Sequence, residues 1–159
     1  MKIFEKVIIG SDHAGYELKK KILHYNFKNI SFSDSGCYSN ESVDYPDIAH
    51  NLSKKVSKGD FKFGILICGS GIGMSIVSNK YQNIRAALCL DENMAKLSRQ
   101  HNDANIIVLG SRLISEELAI KCLLCFFSTT FEKGRHKKRI EKFLKLKIIS
   151  TGDLNVTSV

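Results

Sequence analysis

Cys68 closes an apolar run that begins at Phe63, and Gly69, Ser70, Gly71, Ile72 and Gly73 follow it. Glycines at alternate positions let a backbone turn tightly and come close to a ligand. Where such a turn opens a helix, free N–H groups and the positive end of the helix dipole face whatever sits above, which makes an anion or oxyanion site. A thiol beside a helix start also ionises more readily than an ordinary one. Cys68, with the Ser70 hydroxyl two residues on, therefore supplies the parts needed to abstract a proton alpha to a carbonyl. A base removes the proton, and donors hold the enediolate oxygen as charge develops. The plainer readings are a ligand-free turn and a buried core thiol, and on spacing alone the second is slightly the commoner outcome for Cys68.

Other residues carry compatible chemistry. Asp12 and His13 follow an apolar run and precede a helical pattern. Asp12 could act only as a helix cap, but a histidine at a helix start gains nothing from the dipole if charged, and a nearby anion would explain it. His101, Asn102 and Asp103 lie between a helical pattern and an apolar run, whereas His24, His50 and His136 read as surface residues. Arg135 and Arg139, four apart, share one helix face and could grip one phosphate together. A dinucleotide fingerprint is the rival reading of the glycine loop, with Asp91 as the distal acid, but Met74 occupies the third glycine's place.

The elements that must position these residues alternate. Strands are predicted at Val7–Gly10, Asn29–Ser33, Phe63–Cys68, Ile84–Leu90 and Ile106–Leu109. Helices are predicted at Tyr16–Tyr25, from Pro46 through Val56, at Gly71–Lys80, Asp91–Gln100, Ser115–Phe127 and Gly134–Leu146, with a loop over 34–45. Five strands separated by helices predict an α/β protein: a single-domain, three-layer α/β/α sandwich on a five-stranded parallel sheet, Rossmann-like, over 1–147, with 148–159 a tail. Ligands in such folds bind beyond the carboxyl ends of the strands. That rule selects Asp12, His13, Cys68–Gly73 and Asp91. His101 instead precedes a strand, so it belongs at the other edge of the sheet, roughly 17 Å from Cys68. If His101 is catalytic, it reaches the glycine loop of a second subunit, which predicts a homodimer with shared sites.

Composition narrows the function classes. The chain has 159 residues, 43% hydrophobic and 25% charged, which suits one soluble domain. No apolar run approaches the ~18 residues of a membrane helix. Glu5 and Lys6 interrupt the apolar N-terminus, so export is not expected. Five cysteines, an odd number, point to a reducing, cytoplasmic setting. Cys122 and Cys125 sit in an apolar helical stretch without a second ligand pair and read as core thiols rather than a metal or redox site. Segment 133–147 contributes +7 of the net charge of +8. A single basic helix without nucleic-acid-reading motifs suggests a local anionic target or a solvated face, not nucleic acid.

Taken together, IIGSDHAGYELK, DYPDIA, GILICGSGIGMSIVSNK, IRAALC, LSRQHNDANIIVLGSR and FEKGRHKKRIEK strongly resemble ribose-5-phosphate isomerase type B, of the ribose/galactose isomerase superfamily, over roughly residues 5–143. The resemblance implies interconversion of ribose 5-phosphate and ribulose 5-phosphate, as in the pentose phosphate pathway, without metal or cofactor. It implies that Cys68 is the base and that Ser70 fills a neighbouring hydroxyl position where several relatives carry Thr. It implies that Gly69, Gly71, Ile72 and Gly73 help hold the enediolate. His101 would assist ring opening with Asp12 nearby, and Asn102 would bind substrate. Arg112, Arg135 and Arg139 would bind phosphate, with His13 and Tyr45 lining the pocket. Dimeric sites are also implied, with a tetramer as an alternative assembly. A six-carbon sugar phosphate (allose or galactose 6-phosphate) and a non-catalytic sugar-phosphate-binding module are the remaining alternatives.

Overall fold

The structure is a computed structural model that describes residues 5–144. Five strands, β1 (Glu5–Ser11), β2 (Ile30–Asp34), β3 (Phe63–Cys68), β4 (Ala86–Leu88) and β5 (Ile106–Gly110), form one sheet in the order β2-β1-β3-β5-β4. Every pairing is parallel. Six helices complete the described residues: α1 (Tyr16–His24), α2 (Tyr45–Ser57), α3 (Ile72–Ser78), α4 (Glu92–Asn102), α5 (Glu116–Ser128) and α6 (Gly134–Leu144). The predicted fold class is the one observed. The end of the predicted last helix and the tail 148–159 fall outside the described residues.

Side-chain alternation along the strands feeds two cores. Val7, Ile9, Ile65, Ile67, Ile107 and Leu109 point to one face, where Leu18 and Ile22 of α1, Ala95 of α4 and Leu123 and Phe126 of α5 cover them. Ile8, Leu66, Cys68, Ile106 and Val108 point to the other, against Ala49, Leu52 and Val56 of α2 and Met74 of α3. β3 is central, and all six of its residues are buried, which is why its sequence is a continuous apolar run rather than an alternation. Gly64 is needed there: a Cβ would sit 2.7 Å from Leu52 Cδ2.

Two elements are shorter than the sequence predicts. β4 is limited to three residues because it is an edge strand. The Asn79 side chain occupies its first residue, donating to the Ala86 carbonyl at 2.9 Å and accepting from the Ala86 N–H at 2.9 Å. Those groups would otherwise be open to pairing with another chain. α3 starts at Ile72 because Gly71 takes a left-handed conformation, with φ +77°, that no helix interior allows.

Lys19 is a feature the hydrophobic pattern hides. It is fully buried, yet its ammonium donates to Asp34 Oδ1 at 2.7 Å and to the Cys37 carbonyl. The rings of Tyr16 and Tyr38 lie 5.7 and 5.1 Å from it. Paired in this way, the buried charge ties α1 to the loop that leads into α2.

The cysteines are all free. Cys122 is buried as expected of a core thiol, whereas Cys125 is only partly so. Burial pushes the Cys89 thiol up to about 12 and the Cys122 thiol to about 11, so neither forms appreciable thiolate at ordinary pH. In the native protein at pH 8, Cys125 should therefore take up an alkylating reagent while Cys89 and Cys122 do not. All five should react after denaturation, with peptide mass spectrometry reading each site; native labelling of Cys89 would contradict this packing.

Candidate active site

Chain order places β2 on one side of β1 and β3 on the other. The strand order therefore reverses between β1 and β3, and the crevice beyond their carboxyl ends is where this architecture binds ligands. Ser11 is in register with Ile67, which brings Asp12 alongside Cys68, and the Asp12 N–H donates to the Ile67 carbonyl at 3.1 Å. On the far side of β3, Cys68 is in register with Gly110. There the Ser111 and Arg112 N–H groups donate to the Cys68 and Gly69 carbonyls at 2.9 and 3.0 Å. Asp12, Cys68, Gly69 and Arg112 are thus assembled by ladder hydrogen bonds of three adjacent strands.

The Cys68 side chain is 5% exposed and faces the α2–α3 layer. Its sulfur accepts the Gly71 N–H at 3.1 Å. The left-handed Gly71 aims this donor at the sulfur. A Cβ on Gly71 would lie 2.5 Å from Leu88 Cδ1 and 3.2 Å from the Leu109 backbone. The Ser70 hydroxyl accepts from Ile72 N–H at 3.3 Å, and Ile72 itself is exposed. Gly73 leaves room for Tyr45, whose ring carbons would come within 2.5 Å of any Cβ there. Gly69 does the same for the Arg112 guanidinium, 3.1 Å from where a Cβ would be. The alternate glycines are needed because an aromatic ring, a strand and a guanidinium each press on the loop.

Asp12 is buried, and its carboxylate accepts the Gly15 N–H at 2.9 Å. Because Gly15 is itself the N-cap residue of α1, Asp12 braces the turn before the helix rather than capping it, with its second oxygen left over. His13 Nδ1 accepts the Val43 N–H at 3.3 Å, so the neutral ring carries its proton on Nε2 and can donate from there. The same bond folds the 34–45 loop over the crevice and delivers Tyr45. Asp91 accepts from the Met94 N–H at 2.7 Å; it caps α4, which removes the distal acid of the dinucleotide reading. Ser111 was not singled out by the sequence. Its hydroxyl lies 2.8 Å from the Ala14 carbonyl and 3.2 Å from that of Cys68, joining the loops after β1, β3 and β5.

A second group of predicted residues lies elsewhere. His101 and Asn102 end α4 just before β5, at the amino-terminal edge of the sheet, while Cys68 lies at the carboxyl edge. The five residues of β5 span roughly 17 Å, so His101 and Cys68 of one chain do not meet. Arg135 and Arg139 project from the exposed side of α6, next to the buried His136 and Ile140. The surface reading of His136 is corrected here. It is 6% exposed, and its ring stacks on His101 with centroids 4.2 Å apart and planes 8° from parallel. Glu132 Oε2 lies 3.9 Å from His101 Nε2 and 3.8 Å from His136 Nε2. Burial holds the His136 imidazole below its ordinary pKa, and His101, Arg135 and Arg139 push the same way against the opposing pull of Glu132.

His101, Glu132 and His136 are the described residues whose ligand atoms come close enough, within 4.8 Å, to suggest a metal. Imidazole lone pairs lie in the ring plane, however, and lines in nearly parallel planes do not converge on one ion. Two cavities, of about 880 and 600 Å³, lie at the amino-terminal edge. Asn102 lines the larger and Cys68 lines neither. No helix among the described residues is long and apolar enough to cross a membrane.

The crevice beyond β1 and β3 thus holds a thiol facing an N–H donor, a buried carboxylate and a guanidinium. The chain belongs to the ribose/galactose isomerase family, whose model matches residues 7–143. It is 41% identical over 138 residues to ribose-5-phosphate isomerase B of Escherichia coli K12, covering 86% of this chain and 93% of that protein. The crystal structure of a ribose 5-phosphate isomerase from Thermotoga maritima superposes with a TM-score of 0.86 at 50% identity, covering 89% and 99% of the two chains. Ribose-5-phosphate isomerase B of Mycoplasma genitalium, solved with bound ribulose-5-phosphate, superposes at 0.84 with 40% identity, covering 89% and 95%.

The geometry of Gly71 is the most exposed to test. Gly71→Ala forces a left-handed φ on a residue with a Cβ that has no room, and should cost at least ~2 kcal/mol of stability. Urea unfolding measures this, and a midpoint equal to that of the unaltered protein would contradict the described turn.

Proposed function

We propose that this chain interconverts ribose 5-phosphate and ribulose 5-phosphate through an enediolate, with Cys68 as the base. The observation that carries the reading is the Gly71 N–H aimed at Cys68 Sγ at the point where the strand order reverses. A thiolate there is stabilised by a fixed donor rather than by water. It takes the proton from C2 of the open-chain aldose and returns it to C1, while the O2 proton passes to O1 as the carbonyl moves from C1 to C2. The first-turn N–H groups of α3, which lack intrahelical acceptors, and the Ser70 hydroxyl hold the developing oxyanion. Phosphate is held at a distance from the reacting carbons by Arg112, by His13 through Nε2, and by Arg135 and Arg139. Its binding energy thereby positions C1 and C2 against sulfur.

Ring opening precedes this chemistry for the aldose. His101 gives a proton to the ring oxygen as the C1–O4 bond breaks. Asp12 takes the O1 proton as the carbonyl forms, and Asn102 binds the substrate. Because His101 and Cys68 sit at opposite edges of one sheet, the complete site uses His101, Asn102, Arg135 and Arg139 from the other subunit of a homodimer. Ile72 and Ile76 on α3, 52% and 58% exposed, supply apolar surface beside the glycine loop for that contact. Five free cysteines fit a reducing, cytoplasmic compartment.

Cys68→Ala should abolish isomerisation while leaving ribose 5-phosphate binding within about tenfold, or ~1.4 kcal/mol. Turnover in that variant near that of the unaltered enzyme would reject the thiol base. Arg139→Ala should raise KM about tenfold or more with little change in kcat, as expected when uniform phosphate binding is lost; an unchanged KM removes Arg139 from the phosphate site. Running both assays with ribose 5-phosphate and with allose and galactose 6-phosphates fixes the sugar length, and higher kcat/KM on a six-carbon substrate would overturn the pentose assignment.

A further inference from the structure

We infer that His136 and Glu132 are positioning residues for ring opening, holding the His101 imidazole in the one orientation from which it can serve the sugar ring; this rests on the proposed role of His101. A histidine at a helix end, about one-third exposed, would ordinarily turn freely. Here its face is covered by a parallel ring 4.2 Å away, and that ring is itself buried on α6. The approach is built into the backbone. Lys133 and Gly134 both take left-handed conformations, with φ of 62° and 51°, which turn the chain sharply into α6. The Glu132 N–H donates to the Gln100 carbonyl at 3.1 Å, tying this turn to the last turn of α4.

Charge makes the pair unequal. Two imidazolium rings at this separation, with Arg135 and Arg139 on the same helix, would repel each other. Burial keeps His136 the neutral partner. The half-exposed Glu132 carboxylate lies within 4 Å of both Nε2 atoms, where its charge opposes that of a protonated ring. A purely packing role for His136 would be met by any apolar side chain, and would not call for a carboxylate shared between two rings.

Ring opening can be separated from proton transfer by choice of substrate. Ribulose 5-phosphate carries its phosphate on O5 and cannot close a furanose, so deuterium exchange from solvent into its C1 position needs Cys68 but no ring opening. His136→Ala should lower turnover of ribose 5-phosphate about tenfold, His136→Phe should restore it to within about threefold by replacing the flat platform, and both should exchange C1 within about twofold of the unaltered enzyme. His101→Asn should show the same split more severely, and Cys68→Ala should lose both activities. Should His136→Ala not fold, Glu132→Gln, on a half-exposed side chain, carries the test with the same expected split. Unchanged ribose 5-phosphate turnover in the folded His136→Ala, or exchange that falls in step with turnover, overturns the positioning role. Full turnover in His101→Asn overturns the ring-opening assignment on which it rests.

Discussion

All five strands run in one direction, and the rest of the site follows from that constraint. In a parallel sheet, every residue that follows a strand lies at one edge and every residue that precedes a strand lies at the other. Asp12, Cys68 and Arg112 follow strands; His101 and Asn102 precede one. No loop adjustment brings these two groups together within a single chain, because the length of β5 separates them. The proposed site therefore consists of two half-sites, each firmly held. The first is knit by backbone hydrogen bonds across β1, β3 and β5. The second is knit by the contact of α4 with α6 and by the stacked histidines between them.

Within the first half-site the chemistry depends on what the backbone can approach. Cys68 is almost buried, and its sulfur receives a single N–H from a residue whose φ only glycine adopts readily. Tyr45 and Arg112 press on the same loop, and each requires a position without a side chain. The cost of so tight a turn is met by packing around it: Met74 and Leu66 beneath, and the loop of residues 34–45 above. That upper loop is anchored through Val43 to His13, and through Asp34 and the Cys37 carbonyl to the buried ammonium of Lys19. A charged residue distant from the reacting atoms thus contributes to the shape of the pocket mouth.

The fold was legible in the sequence because its signals are local and strong. β3 has an uninterrupted apolar run, α2 has Pro46 in its first turn, and α5 is capped by Ser115 with two acidic residues behind it. Boundaries failed where a side chain rather than the pattern decided them, as Asn79 does for β4 and the left-handed Gly71 does for α3. The glycine loop and the separation of His101 from Cys68 could also be read from spacing and chain direction alone. His136 could not. A histidine amid lysines and arginines reads as surface, and its burial depends on a turn at Lys133–Gly134 that sends α6 back across α4. Ser111 and Lys19 were missed for a related reason. Their partners, Ala14, Asp34 and Cys37, are brought to them by tertiary structure, and no spacing announces it.

The claim that two chains must share each site is tested most directly by mixing two inactive variants, one altered at Cys68 and one at His101, after unfolding and refolding them together. In a mixed dimer one site carries both alterations and the other carries neither. A one-to-one mixture should then recover about one quarter of the unaltered activity, since half of the randomly paired dimers are mixed and each has one intact site. Activity no greater than the sum of the two variants refolded separately would contradict a shared site and would require His101 and Cys68 to act within one chain.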